Sequence, residues 1–121
     1  MLEINRVLQC FKQLSGCRSE DLGDQVVIVM SAMKDIEASL DAGKMTEAAV
    51  PACEYAAACS ALYDYVCRES SREQTAVTAS GTADNSANFS HRIECAAKLK
   101  REALGRIEPF TVSGGFVFDT M

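Results

Sequence analysis

The stretch VPACEYAAACSALYDYVCRE, residues 50–69, is apolar on more than one side and decides the fold. Its residues at three- and four-residue spacing form a stripe typical of a buried helix face: Ala52, Tyr55, Ala56, Cys59, Leu62, Tyr63 and Val66. The other side carries Ala57, Ala58, Ala61 and Tyr65 among few charges. Because small residues let another backbone approach closely, this helix is expected to contact neighbours on two sides. That pattern favours packing and assembly over enzymatic chemistry.

Three further helices are predicted around this one. The first covers residues 2–14 and ends at Gly16. The second follows Ser19, a suitable N-cap, covers residues 22–40 and has Gly43 as its C′ residue. The third helix starts near Pro51, since proline is tolerated only in a first helical turn. The fourth covers residues 88–107 and stops before Pro109. The sequence therefore predicts a single all-α domain, an antiparallel bundle of about four helices.

The segment VVIVM, residues 26–30, is apolar all round within the second helix. Val27 and Ile28 point away from the main apolar stripe of that helix. Two interpretations stay open at this stage. Another element of the chain covers these side chains, or they belong to a contact between subunits.

Two segments are predicted to lie outside the helices. Residues 71–88 are rich in Ser, Thr, Ala and Asn and are expected to form a mobile polar loop, with a short edge strand at 75–78 as an option. The tail, residues 110–121, is expected to be extended, with a candidate hairpin around Gly114 and Gly115.

Composition and charge exclude several classes of function. The net charge of −5 argues against a dedicated nucleic-acid binder, because phosphate contacts need a concentrated basic surface. No apolar run approaches the roughly 20 residues of a membrane span, and the first residues lack the layout of a signal peptide. A cytoplasmic location, without membrane contact, is expected.

Six cysteines invite a metal or disulfide interpretation: Cys10, Cys17, Cys53, Cys59, Cys67 and Cys95. No pair has CxxC spacing and His91 is the only histidine, so a zinc site has weak support. The favoured interpretation is that the thiols are reduced and serve as small buried groups. A redox or metal role remains the alternative.

Lys100 is the most unusual charged residue because it sits on the apolar face of the fourth helix. Three interpretations stay open. Its ammonium reaches the rim of the bundle, it forms a buried or inter-subunit ion pair, or a depressed pKa makes it a base. His91 is expected at the surface. No catalytic constellation can be assembled, so no enzyme activity, cofactor, metal or small-molecule substrate is predicted.

The overall pattern resembles the small head–tail connector proteins of tailed phages and prophages. The resemblance is carried by four segments at residues 2–11, 54–69, 93–110 and 114–119: LEINRVLQCF, EYAAACSALYDYVCRE, IECAAKLKREALGRIEPF and GGFVFD. It implies an all-α virion subunit that forms a ring with copies of itself and contacts portal and tail proteins. The alternative is a cytoplasmic helical module for protein–protein interaction or regulation.

A connector-like subunit would act through its surfaces. The candidate interface residues are apolar or small groups that are expected to point outward: Val27, Ile28, Ala57, Ala61, Tyr65, Phe116 and Phe118.

Overall fold

The computed structural model describes residues 2–16, 22–80 and 85–112, and there it is an all-α bundle, as the sequence predicts. The helices are α1 (Ile4–Ser15), α2 (Leu22–Ser39), α3 (Ala49–Ser80) and α4 (Asn85–Ile107), followed by a short 3-10 turn at Glu108–Phe110. The chain thus forms three of its four helices close to the expected positions, and α3 departs from them most.

The order of the helices is up-down-up-down around α3. α3 and α4 are antiparallel, since Tyr55 lies beside Arg106 and Tyr63 beside Lys100. α1 runs parallel to α3: Glu3 contacts Glu54, and further along both helices Phe11 meets Tyr65. α2 runs antiparallel to α1, since Glu37 near the end of α2 lies against Leu2 at the start of α1.

α1 shows how local sequence sets a helix boundary. Its apolar residues Val7 and Phe11 are fully buried. The helix ends at Gly16, which adopts a left-handed backbone with φ of 73° and donates its N–H to the Lys12 carbonyl oxygen at 2.9 Å. Only glycine takes that conformation without steric cost, so the predicted end of α1 is confirmed.

α3 is the central helix of the bundle, packed by α1, α2 and α4. Its buried residues point in every direction around the axis: Cys53, Glu54, Ala56, Ala57, Ala58, Cys59, Ser60, Ala61, Leu62 and Val66. The helix starts at Ala49, where the Ala49 N–H donates to the Thr46 hydroxyl at 3.2 Å. Pro51 lies in the first turn, where the missing N–H costs nothing.

The predicted loop at 71–88 is wrong over most of its length. α3 continues through Ser80 and α4 already begins at Asn85, so the optional edge strand at 75–78 is helix as well. Residues 81–84 lie outside the described part of the chain. No Gly or Pro interrupts residues 52–80, and extending an existing helix through Ser, Thr and Ala costs at most about 0.7 kcal/mol per residue.

The residues that follow α4 pair with the residues at the end of α2. The Asp41 N–H donates to the Phe110 carbonyl at 2.9 Å, and the Val112 N–H donates to the Ser39 carbonyl at 3.0 Å. Leu40 and Thr111 thereby form an isolated antiparallel bridge. α2 ends at Ser39, so Gly43 is not its C′ residue; the Gly43 N–H donates to the Asp41 carboxylate instead. The predicted extended tail lies outside the described residues beyond 112.

Candidate functional site

Three of the predicted interface residues are core residues. Ala57 and Ala61 have no solvent exposure, and Ile28 is buried as well. The expectation that they point outward is wrong because α3 is enclosed by three helices of its own chain, and α2 turns Ile28 inward. Small side chains on the second side of α3 serve close packing within the chain, so they no longer argue for a contact between subunits.

Tyr65 is a half-buried packing residue that joins α1 to α3. Its ring meets the Phe11 ring edge-to-face, with 5.6 Å between ring centroids and 84° between planes. Its hydroxyl donates to the Glu69 carboxylate at 3.3 Å, one turn further along α3. Aromatic pairs of this geometry contribute beyond simple burial. Tyr65 therefore has a role in the fold, whether or not a partner also touches it.

Val27 is the one predicted interface residue that the structure places in solvent, with 72% of its surface exposed. Met30 follows one turn later on the same side of α2 and is 41% exposed. Lys34 continues this side, and it too is exposed. We call Val27 and Met30 the α2 apolar patch. Phe116 and Phe118, the remaining predicted interface residues, lie outside the described part of the chain.

A buried carboxylate, Glu54, is the main polar feature that the sequence analysis missed. Its Oε2 accepts the Glu3 backbone N–H at 2.8 Å, and its Oε1 lies 3.7 Å from Nη1 of Arg6. Glu37 on α2 accepts the Leu2 N–H at 3.4 Å. Two carboxylates from neighbouring helices thus meet the start of α1, where the helix dipole favours negative charge. The sequence signal for this buried carboxylate is a single acidic residue, Glu54, within an apolar stretch of α3.

Two thiols lie near this carboxylate, that of the half-buried Cys10 and that of the buried Cys53. Burial raises the pKa of Cys10 and of Cys53, and the negative charge of Glu54 raises both further. Burial also raises the pKa of Cys59, against the opposing effect of its hydrogen bond with Tyr55. Because the thiolate is the nucleophile, thiols with raised pKa values are poor reagents at neutral pH. These groups behave chemically as small apolar side chains.

Lys100 has an aromatic partner. Its Nζ lies 5.0 Å from the centre of the Tyr63 ring, a cation–π geometry across the α3–α4 seam. Arg106 sits over Tyr55 in the same way, at 6.0 Å. Within the described residues, the structure gives Lys100 this ring in place of the buried carboxylate that an ion pair requires. The half-buried stem and ring-bound ammonium match the interpretation in which the side chain reaches the rim.

Metal-binding groups are sparse in the described ranges. His91 and Cys95 are exposed one turn apart on α4, with Nε2 and Sγ 3.7 Å apart. No set of three or more His, Cys, Asp or Glu side chains is gathered there for a metal ion. Two groups on one exposed helix turn do not make a metal site.

Length and hydropathy also bear on membrane insertion. Over residues 2–16, 22–80 and 85–112, none of the helices combines enough length with enough apolar character to cross a bilayer.

Comparison with known proteins gives no relative for this chain. Neither family models, nor curated protein sequences, nor solved structures match it.

Proposed function

We propose that this protein is a structural assembly subunit of the kind its sequence resembles, a connector that works through contacts with copies of itself and with other virion proteins. The observation that carries the proposal is the α2 apolar patch. Val27 is 72% exposed and Met30, one turn later, is 41% exposed. An exposed apolar side chain on a helix marks a contact surface when a second exposed apolar side chain lies beside it.

The buried polar groups support a structural role. The Glu54 carboxylate is engaged by the Glu3 N–H and by Arg6, so it fastens α1 to α3. The thiols of Cys10, Cys53 and Cys59 have raised pKa values and stay protonated near neutral pH. Lys100 rests on the Tyr63 ring. Each of these groups has a packing partner that accounts for its position in the bundle.

The size of the patch sets what it can contribute. Full burial of a Val or Met side chain is worth roughly 1.5–3 kcal/mol, which corresponds to about a tenfold or larger change in affinity. A stable pair of subunits buries about 800 Å² on each partner, more than two side chains provide. The α2 apolar patch is therefore proposed as the centre of a larger contact, one that is repeated around a ring.

Sedimentation over a hundredfold range of protein concentration tests self-assembly. Wild-type protein should show a mass that rises with concentration, and Val27→Asp should weaken association by about tenfold or more. Gln13→Asp adds the same charge at an exposed position of α1 and is the matched control. At concentrations where all three proteins are monomeric, they should unfold within a few degrees of one another. A wild-type monomer throughout would contradict self-assembly and favour the alternative, a module that binds a different protein.

Gene neighbourhood tests the virion part of the proposal separately. Genes for portal, terminase and capsid proteins beside this one would support a connector role. A neighbourhood without them would contradict it while leaving self-association intact.

A further inference from the structure

Cys95 on α4 is a thiol whose presence burial does not explain. Of the cysteines in the described part of the chain, it alone is exposed, and the others are buried or half-buried. Serving as a small apolar group in the core therefore accounts for the other thiols but not for this one. His91, the only histidine of the chain, is also exposed and lies one turn earlier on the same helix.

The two side chains are spaced as zinc ligands are. Nε2 of His91 and Sγ of Cys95 lie 3.7 Å apart, and residues four positions apart share one side of a helix. Zinc bonds of about 2.0–2.1 Å to nitrogen and 2.3 Å to sulfur, at a tetrahedral angle, place the two ligand atoms about 3.6 Å apart. One metal ion can therefore bind both atoms with little movement of either side chain.

A structural zinc ion takes four ligands, and this turn of α4 supplies two of them. Within the described residues, no third His, Cys, Asp or Glu side chain joins the pair. Because the chain has a single histidine, a second imidazole has to come from another molecule. A two-fold axis beside α4 places the same pair from a second copy opposite the first, since each residue of a symmetric contact meets the same surface of the partner. Two thiolates and two imidazoles are a common ligand set for structural zinc.

The surroundings of the pair are open and electrically balanced. α4 packs on α3, and its buried residues, Ala96, Ala103 and Ile107, lie on a different side from the pair. Glu94 and Lys98 are exposed within one turn of it and carry one charge of each sign. The ligand atoms, and not the charge of the surface, therefore decide whether a cation binds here.

We propose that His91 and Cys95 form half of a zinc site, which a second copy of this chain completes. The thiol proton passes to water as the sulfur–zinc bond forms, and the neutral imidazole binds through Nε2. This pairing uses α4 rather than the α2 apolar patch, so it goes beyond the proposed function and does not depend on it.

Cobalt(II) is the probe, because it occupies tetrahedral zinc sites and its absorption reports thiolate ligands. Reduced, tag-free protein, at a concentration where the metal-free chain is monomeric, should develop a thiolate-to-cobalt band that saturates at half an ion per chain. Sedimentation should show the mass doubling, and added zinc should remove the band. Cys95→Ser and His91→Gln should each lose the band and the doubling, whereas Glu94→Gln, in the same turn, should keep both. No band, or saturation at one ion per chain with an unchanged mass, would overturn the shared site.

A chelator separates this pairing from the proposed assembly. EDTA should dissociate the metal-linked pair but should leave association through the α2 apolar patch unchanged. Val27→Asp should therefore keep the cobalt-linked pair. Cobalt-linked pairing in a protein that is otherwise monomeric at every concentration would support the zinc site while the proposed assembly fails. A pair that survives EDTA and is lost on reduction would be a disulfide between two Cys95 residues and would overturn the role of the metal.

Discussion

Residues 26–30 of α2 and residues 55–62 of α3 are both largely apolar on all sides, but the two helices hold different places in the bundle. α3 is enclosed by three helices, so both its main stripe and its second side, including Ala57 and Ala61, are buried. α2 is covered on one side alone. Ile28 turns into the core, while Val27, its neighbour in sequence, is 72% exposed.

Residue size distinguishes a central helix from a peripheral one. α3 carries alanine and cysteine where three neighbours approach, because close backbones leave no room for larger groups. α2 carries valine and methionine on its uncovered side, where size is not limited by a neighbour. Small residues on a second helix face therefore indicate dense packing within the chain, and large apolar residues there mark the surface that is left for a partner.

The largest loss of stability is expected from removing a buried side chain of α1 that packs on α3. Phe11 is fully buried and its ring meets that of Tyr65. Phe11→Ala should lower the free energy of unfolding by about 3–5 kcal/mol, from lost burial and the cavity left behind. Gln13→Ala, exposed on the same helix, should stay within about 0.5 kcal/mol of wild type in urea unfolding. A smaller loss of unfolding free energy for Phe11→Ala than for Gln13→Ala would contradict the packing of α1 on α3.

A smaller loss is expected at the carboxylate that ties α1 to α3. Glu54→Ala leaves the Glu3 N–H without its partner and should cost about 1–3 kcal/mol in urea unfolding. Arg6→Ala removes the ion pair with Glu54 and the exposed pair with Glu3 but keeps that hydrogen bond, and because Arg6 is exposed it should cost less than about 1 kcal/mol. Equal costs for the two variants would show that the ion pair, not the backbone hydrogen bond, stabilises the contact.

The thiols around α3 should make stability fall in alkali. Burial raises the pKa of Cys10, Cys53 and Cys59 above the 9.0 of an open thiol, so the folded state keeps protons that the unfolded state loses. Their contribution is complete below pH 9 and is lost as pH rises through the folded pKa values. Urea unfolding across this range should show a shallower decline for Cys59→Ala, with the exposed Cys95→Ala as control. Identical slopes in both variants would contradict the account.

The smallest effect concerns the seam between α3 and α4. Lys100→Met keeps the apolar stem but removes the charge from the Tyr63 ring and should cost about 0.5–1 kcal/mol. Lys98→Met, exposed on the same helix, is the matched control. A gain in stability for Lys100→Met alone would show that burying the ammonium outweighs its contact with the ring.

Periodicity, glycine and proline were sufficient to predict the helices and most of their ends. Gly16 ends α1 and α4 stops at Ile107, just before Glu108 and Pro109. The same signals could not tell which helix lies in the centre, since that depends on neighbours distant in sequence. The long extension of α3 is not predicted because a polar composition is typical of a loop, although residues 52–80 contain neither Gly nor Pro. The hydrogen bond of Glu54 cannot be predicted from the sequence, because its partner is the backbone N–H of Glu3, which is far away in the chain.

The claim that α3 is the core and α2 carries the contact surface is tested most directly by one pair of variants. Ala61→Glu and Val27→Glu introduce the same side chain on the two helices and are compared by urea unfolding. Ala61→Glu should lose more than about 3 kcal/mol of stability or fail to fold, because its charge is buried without a partner. Val27→Glu should remain within about 0.5 kcal/mol of wild type. An Ala61→Glu protein as stable as wild type would place that side of α3 at the surface and contradict the account.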